Sequence, residues 1–256
     1  AKLCPRGKAA AKRKFKVYPS AYANMYASAV CSGKVTPGGK KNRKKKMGGG
    51  MALRGLGRAF MKSTQLKPNF SLDLSDQVAL VTGSSSGLGY RFSKILAKCG
   101  AKVALAARRV DKLEALEKEI REDGGECAVI PLDVMDRDSL RNAVDVVENQ
   151  LGLITTLINN AGMVDAQWAV KQSDELIDGV VDTNLVGPYL LSNEIARRLI
   201  KNDIPGRMVN IASMAAYNIS PNSASVLYST TKSAIVRLTD SLAVEWAKHN
   251  INVNAI

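Results

Sequence analysis

Tyr228 and Lys232 are four positions apart in a segment whose apolar spacing predicts a helix over residues 225–248. In a helix, residues at this interval lie on the same face, one turn apart. A neighbouring ammonium group stabilises the phenolate form of a tyrosine. Tyr228 could therefore donate a proton to a substrate oxygen or remove one, as a general acid or base. The alternative is that Tyr228 only packs in the interior.

A second set of residues has the composition of a phosphate-binding turn. The segment TGSSSGLG (82–89) follows the apolar run QVALVT and precedes a segment with helical spacing. Glycines let a backbone approach a pyrophosphate, and the helix start offers free N–H groups and partial positive charge. The GxxxGxG spacing differs from the commoner GxGxxG, and an ordinary strand–helix turn is the alternative. The residues predicted to bind a dinucleotide are Gly83, Ser85, Ser86, Gly87, Leu88 and Gly89.

The elements that would position these residues alternate regularly along the chain. Strands are predicted over 77–82, 101–107, 127–134, 154–162, 207–213 and 251–256, and helices over 88–100, 111–123, 139–152, 185–202 and 225–248. Such alternation implies right-handed crossovers and a parallel sheet. The predicted fold is α/β, a Rossmann-like doubly wound parallel sheet with helices on both faces.

Five motifs in order, TGSSSGLG (82–89), NNAG (159–162), Asn184, Ser213 and Tyr228-x-x-x-Lys232, carry a family resemblance. Over about residues 72–256 the chain resembles the short-chain dehydrogenase/reductase family and is similar to 3-oxoacyl-[acyl-carrier-protein] reductases. The resemblance implies an oxidoreductase that interconverts a carbonyl and a secondary alcohol by hydride transfer. It also implies a small-molecule or acyl-carrier-bound carbonyl substrate, a homo-oligomer when full length, and a cytoplasmic location.

The resemblance also implies a role for each motif residue. Tyr228 would be the general acid/base, and Ser213 would hold and polarise the substrate oxygen. Asn184 would hold a water that relays protons to Lys232, and Lys232 would bond the nicotinamide ribose, so that Tyr228 and Lys232 also contact the cofactor. Taken singly, Ser213 could instead be a helix cap and Asn184 a turn former. The other residues expected along the cofactor are Asp133 and Val134 beside the adenine, and Asn159, Ala161 and Gly162 from the fourth strand.

The end of the second strand predicts which dinucleotide binds. NAD-preferring enzymes place an acid there to bond the ribose 2′-hydroxyl. Here Ala107 stands at that position and Arg108 follows it. An arginine would neutralise a 2′-phosphate through charge-assisted hydrogen bonds. The sequence therefore favours NADP(H) over NAD, the alternative being that Arg108 and Arg109 are solvated charges at a helix start.

Charge divides the chain in two. Residues 1–69 contain 18 Lys and Arg and no Asp or Glu, whereas residues 70–256 contain 19 basic and 23 acidic residues. We therefore predict a basic, disordered leader over 1–70 and a dinucleotide-binding domain over 71–256. The leader is either a solvated tail or, through residues 1–64, a nonspecific contact for nucleic acid or another polyanion.

Several function classes are disfavoured by composition. No run of 18 apolar residues predicts a membrane span. One histidine, His249, and four cysteines without a CxxC pair predict no metal site.

Two departures from the family pattern bear on activity. The 15-residue interval between Ser213 and Tyr228 is longer than expected and implies a lengthened loop beside the substrate. The chain also stops within the sixth strand, so we expect a fold that is incomplete at the C-terminus. The alternative to an enzyme is therefore a noncatalytic dinucleotide-binding fragment whose leader binds nucleic acid or another polyanion.

Overall fold

The computed structural model describes residues 72–218 and 224–256, together with Cys4, Pro5 and Ala9. Contacts divide the chain into two units, Ala1–Phe70 and Ser71–Ile256. The predictions made for the basic leader fall on residues outside the described part, and so does residue range 219–223 of the loop before Tyr228.

Six strands and six α-helices form the second unit. The strands are β1 (Val78–Thr82), β2 (Lys102–Ala107), β3 (Cys127–Pro131), β4 (Thr156–Asn159), β5 (Gly206–Asn210) and β6 (Ile251–Ala255). The helices are α1 (Gly87–Lys98), α2 (Val110–Glu122), α3 (Arg137–Leu151), α4 (Asp174–Val181), α5 (Gly187–Lys201) and α6 (Val226–Trp246). Short 3₁₀ turns cover Ala169–Lys171, Met214–Ala216 and Ala247–His249, and a π-helical turn covers Asp182–Val186.

All strand pairs are parallel, in the order β3-β2-β1-β4-β5-β6. The chain adds β2 and β3 on one side of β1 and then returns to add β4, β5 and β6 on the other. The order reverses between β1 and β4, and ligands bind at such a reversal, beyond the carboxyl ends of the strands. The predicted doubly wound parallel sheet is confirmed.

Helices cover both faces of the sheet because successive strand residues point to opposite sides. Val78 and Leu80 pack with residues of α3, α5 and α6 in one buried cluster. Ala79 and Val81 pack with residues of α1 and α2 in a second cluster. The apolar β-branched run in β1, buried on both faces, is typical of a central parallel strand.

The structure differs from the predicted elements where the site is built. Helix α4 was not predicted, although Ser173 caps it by accepting the N–H of Leu176 (3.3 Å) and Asp174 and Glu175 occupy its first turn. Residues 182–186, predicted in part as ordinary helix, form the π-helical turn. Strand β4 ends at Asn159, so the residues after it leave the sheet.

No helix in the described ranges is long and apolar enough to cross a membrane.

Candidate active site

A cleft of about 550 Å³ opens at the carboxyl ends of β1 to β4, where the strand order reverses. Four segments contribute its walls: the glycine-rich turn after β1, the two arginines after β2, the residues after β3 and those after β4. Of the predicted cofactor residues, those lining it are Gly83, Ser85, Ser86, Arg108, Asp133, Val134, Ala161 and Gly162.

The glycine-rich turn is shaped by two close approaches. Gly83 has φ of +69°, in the left-handed region that favours glycine. A methyl group at Gly89 would overlap the carbonyl oxygen of Gly83 and the side-chain amide of Asn160. Gly87 and Leu88 begin α1 just beyond the turn, and the Leu88 side chain is exposed. The turn therefore presents backbone, rather than side chains, to the cleft.

Asn160 joins this turn to the end of β4. Its amide donates to the carbonyl oxygens of Thr82 (2.9 Å) and Gly83 (3.3 Å). The hydroxyl of Thr82 in return accepts the backbone N–H groups of Asn160 and Ala161, both at 3.0 Å. Asn160 also lines the cleft, and the sequence interpretation did not single it out.

Asn159, expected to line the cofactor, lies elsewhere. It is buried, and its amide donates to Asn210 Oδ1 (2.8 Å) and Ser192 Oγ (3.0 Å). Neighbouring strand residues point to opposite faces. The side chain of Asn159 thus faces α5 beneath the sheet, whereas Asn160, just past the strand end, reaches the turn.

Two arginines form the edge of the cleft beyond β2. The Arg109 guanidinium donates to the hydroxyls of Ser85 (2.9 Å) and Ser86 (2.8 Å) across the turn. Arg108 is exposed, and its Nη1 lies 3.9 Å from Asp133 Oδ2. Two cations therefore border one rim, and Asp133, which follows β3, lies beside Arg108. Arg109 was weighed in the sequence only as a solvated charge.

Tyr228 and Lys232 lie on the first turns of α6. The ammonium nitrogen of Lys232 is 5.6 Å from the centre of the Tyr228 ring and donates to the carbonyl oxygen of Ile211 (2.6 Å). Lys232 is only 5% exposed, and this burial lowers its pKa. A buried cation thus lies beside the phenol, held by the segment that follows β5.

Asn184 lies at the π-helical turn and is 1% exposed. Its side chain accepts the N–H of Met163 and donates to the carbonyl of the same residue, both at 2.8 Å, and donates to Thr231 Oγ1 (3.1 Å). A π-helical turn inserts an extra residue into a helix and is common at functional sites. Here it carries Asn184 between the segment after β4 and α6.

Ser213 follows β5 and precedes the 3₁₀ turn at Met214–Ala216. Its hydroxyl accepts the N–H of Ala215 at 3.1 Å. That turn packs on α6, where the Ser233 hydroxyl donates to the carbonyl of Ala216 (2.8 Å). Ser213 therefore caps this turn, on a segment that packs against the helix of Tyr228.

Gly162 connects the cleft with these residues. A methyl group there would lie 3.6 Å from Asn184 Oδ1 and 3.9 Å from the Lys232 ammonium. Gly162 also lines the cleft. The structure thus places Asn184 and Lys232 next to Gly162 on the cleft wall, with the Tyr228 ring beside Lys232.

Comparison with known proteins identifies the family of the chain. Residues 77–256 match the sequence profile of the family described as short chain dehydrogenase. A 2-dehydro-3-deoxy-D-gluconate 5-dehydrogenase of Dickeya dadantii is 33% identical over 186 residues, which cover 73% of this chain and 72% of that one.

Solved structures give the same result. A short-chain type dehydrogenase/reductase from Mycobacterium marinum is 36% identical with a TM-score of 0.70, covering 72% of this chain and 75% of that one. A gluconate 5-dehydrogenase from Burkholderia cenocepacia, in complex with NADP and tartrate, is 27% identical with a TM-score of 0.67, covering 72% and 71%. The chain belongs to the short-chain dehydrogenase/reductase family of oxidoreductases.

Proposed function

We propose that the protein is an NADP(H)-dependent oxidoreductase that interconverts a carbonyl and a secondary alcohol. The observation that carries this proposal is that Lys232 and Asn184 lie next to Gly162 on the cleft wall, with the Tyr228 ring beside the Lys232 ammonium. A noncatalytic nucleotide-binding domain needs the cleft but not a buried ammonium beside a tyrosine ring.

The cleft fits a dinucleotide phosphate. The turn has no room for a side chain at Gly89, so its backbone can approach a pyrophosphate, and helix α1 begins immediately beyond it. Arg108 and Arg109 offer charge-assisted donors to a 2′-phosphate, and Ala107 leaves no acid at the end of β2 to repel one. The NADP complex of the Burkholderia relative supports the same choice.

The bound nicotinamide would supply or accept the hydride at the carbonyl carbon. The residues of the chain handle the proton and the oxygen. In reduction, the Tyr228 hydroxyl gives its proton to the substrate oxygen, and in oxidation the phenolate removes it. The Lys232 ammonium, 5.6 Å from the ring centre, favours the phenolate that forms.

Ser213 and Asn184 complete the proposed site. Because the Ser213 hydroxyl accepts the Ala215 N–H, its own proton can be donated to the substrate oxygen. Asn184 Oδ1 accepts one hydrogen bond from Met163, and a carbonyl oxygen can accept two. The second can come from the water that returns a proton towards Lys232.

The segments around Tyr228 favour a neutral carbonyl. Residues 211–231 contain no charged side chain, and residues 154–170 contain only Asp165. Exposed apolar groups on these segments include Trp168 (52% exposed) and Met214 (77%). The relatives named for gluconates act on carboxylates, for which residues 154–170 and 211–231 provide no cation; the nearest in sequence are Lys171, at the end of the 3₁₀ turn, and the buried Lys232. We therefore propose an uncharged, partly apolar ketone as the substrate class.

The cofactor is tested by measuring the Kd of NADPH and NADH for the parent protein and for Arg108→Ala and Arg109→Ala. Each substitution should weaken NADPH about tenfold, the scale of one charge-assisted contact, and leave NADH within about twofold. Lys112→Ala, a charge removed from the exposed side of α2, is the matched control. Equal NADPH and NADH affinities in the parent would contradict the proposal.

The reaction is tested by following NADPH consumption with a panel of neutral ketones, an acyl thioester and a 5-keto sugar acid. We expect turnover with a neutral ketone at a kcat/KM at least about tenfold above that of the sugar acid. A preference for the sugar acid would contradict the substrate class but leave the reaction type standing.

A further inference from the structure

A buried carboxylate holds the start of the helix that carries Tyr228. Asp165, in the segment after β4, is 0% exposed. Its Oδ1 accepts the N–H of Tyr228 (2.8 Å), and its Oδ2 accepts the N–H of Leu227 (3.0 Å) and a hydrogen bond from the Gln172 amide (2.6 Å). The two backbone contacts join residues more than 60 positions apart in the chain.

The first N–H groups of a helix have no partners within the helix. A carboxylate at this point satisfies such donors and interacts favourably with the positive end of the helix dipole. One of the two N–H groups here belongs to Tyr228 itself. The position of the tyrosine backbone, and with it the reach of the phenol, is therefore set by Asp165 from another segment.

The segment that carries Asp165 is itself fixed to the cleft. Two residues earlier, Met163 exchanges two hydrogen bonds with the Asn184 side chain, and Gly162 lines the cleft wall. One short segment therefore connects the cleft with Tyr228. Gly162 lines the cleft wall, Met163 bonds the Asn184 side chain, and Asp165 accepts the backbone N–H of Tyr228.

Burying the Asp165 carboxylate costs folding free energy. In the described ranges Asp165 forms no salt bridge, and N–H donors alone hold its two oxygens. An ion removed from water without a counter-ion must be compensated by hydrogen bonds. An apolar residue would fill the space at lower cost, but it could not hold two backbone amides.

We propose that Asp165 is a positioning residue that places the Tyr228 hydroxyl relative to the cofactor cleft; this inference rests on the proposed function of Tyr228. Asp165 acts through the backbone of the helix and does not touch substrate. Its loss should slow the proton-transfer step without weakening cofactor binding.

The test compares Asp165→Asn with Asp136→Asn in the full chain. Asp136, an exposed residue at the start of α3, also holds two helix-start amides, its Oδ1 accepting the N–H groups of Asp138 (2.9 Å) and Ser139 (3.3 Å), so both substitutions remove one charge from a two-amide cap. Both should lower the thermal midpoint. Only Asp165→Asn should lower kcat, by at least about tenfold, since small displacements of a catalytic group are costly. The NADPH Kd should stay within about twofold of the parent in both.

Amide hydrogen exchange supplies a readout that does not require turnover. The N–H groups of Leu227 and Tyr228 should exchange about tenfold faster in Asp165→Asn and at the parent rate in Asp136→Asn. Should Asp165→Asn not fold, Gln172→Ala replaces it. This substitution leaves both backbone amides on the carboxylate and removes its side-chain donor, together with the bond from that donor to the Gln167 carbonyl (3.1 Å), and should lower kcat about threefold.

An equal fall in kcat for the two cap variants, or unchanged exchange at Leu227 and Tyr228, would overturn the proposal. The proposed function fails separately, if Tyr228→Phe retains turnover in the same assay. In that case the exchange rates still decide whether Asp165 holds the first turn of α6.

Discussion

Lys232 combines two properties that rarely occur together in a stable interior. It is buried, and it bears a charge whose pKa is lowered because burial disfavours the ammonium form. Its Nζ bonds one backbone carbonyl, that of Ile211. Such an arrangement costs folding free energy and is expected where a charge is needed for chemistry.

Replacing Lys232 by Met should therefore stabilise the protein by about 1 kcal/mol at neutral pH while abolishing turnover. The gain should shrink as the pH rises above the lowered pKa of Lys232 towards its ordinary value of 10.5, because the folded parent then loses the buried charge that destabilises it. Urea unfolding from pH 7 to pH 10.5 measures this. A variant less stable than the parent at pH 7 would show that the ammonium is a net stabilising group.

Tyr228→Phe removes a single hydroxyl and tests the proposed proton donor. We expect kcat to fall by at least about a hundredfold, within the range for loss of a general acid, with NADPH Kd unchanged. Tyr217→Phe, which removes a hydroxyl from an exposed tyrosine on the neighbouring segment, is the matched control. Turnover of Tyr228→Phe within a factor of two of the parent would place the acid elsewhere.

At the scale of elements, the turn between β1 and α1 restricts most clearly which residue types its positions can hold. A methyl group at Gly89 would overlap the backbone of Gly83, whereas one at Gly87 would meet no atom within 4 Å. Gly87 instead has φ of +60°, which an L side chain adopts at a cost.

Gly89→Ala should accordingly cost about 3 kcal/mol of stability without cofactor, the upper range for overpacking, since the obstacle is backbone that cannot move aside. Gly87→Ala should cost about 1 kcal/mol, from its φ angle alone. Guanidinium unfolding of the two variants compares them directly. Equal losses would mean that the turn can relax around Gly89.

The elements themselves were largely predictable. The alternation of apolar strands and amphipathic helices indicated the parallel sheet, and the motifs indicated the family. Helix α4 was not predicted because its eight residues are too few to show a helical spacing of apolar positions. Its start signal was nevertheless recognisable in Ser173, Asp174 and Glu175.

What could not be predicted depends on contacts between distant segments. In the sequence Asp165 has no feature that distinguishes it from other loop residues. Only the fold brings the backbone N–H of Tyr228, at the start of α6, to its carboxylate. Arg109 resembles any helix-start charge until the turn places Ser85 and Ser86 within its reach. Asn159 and Asn160 are alike in sequence, and only the exact end of β4 decides which of them faces the cleft.

At the scale of the whole molecule, the charge asymmetry separates two tasks. Residues 1–64 hold 17 basic and no acidic residues, and within the described ranges the strands of the sheet begin at Val78. The described part from residue 72 onwards contains both buried clusters of the domain. The leader should therefore contribute little to the stability of the domain.

Deleting residues 1–64 should change the thermal midpoint of the domain by no more than about 1 °C. A shift of that size corresponds to only a few tenths of a kcal/mol in the free energy of unfolding. The intact chain should bind DNA and RNA without sequence preference, with an affinity that falls steeply as salt rises, and the deleted chain should not. Calorimetry and mobility shifts at several salt concentrations measure both. A clearly lower midpoint after deletion would show that the leader packs on the domain.

The pairing of β1 with β4 has a consequence for how such proteins diversify. The residues proposed to hold the nucleotide mostly follow β1 to β3, and the proposed acid–base residues lie after β4. The two halves meet along this strand pair, with Leu80 opposite Leu157 and the Thr82 hydroxyl bonded to Asn160 and Ala161, and also where α3 packs on α5, with Arg198 paired to Asp145 and Glu148. Recombination near residue 153 would exchange one half for that of a relative and preserve these contacts wherever Thr82, Asn160 and the Arg198 ion pairs are kept. Cofactor choice and substrate choice could then be inherited from different parents, and chimaeras joined at this position offer a direct route to altering one without the other.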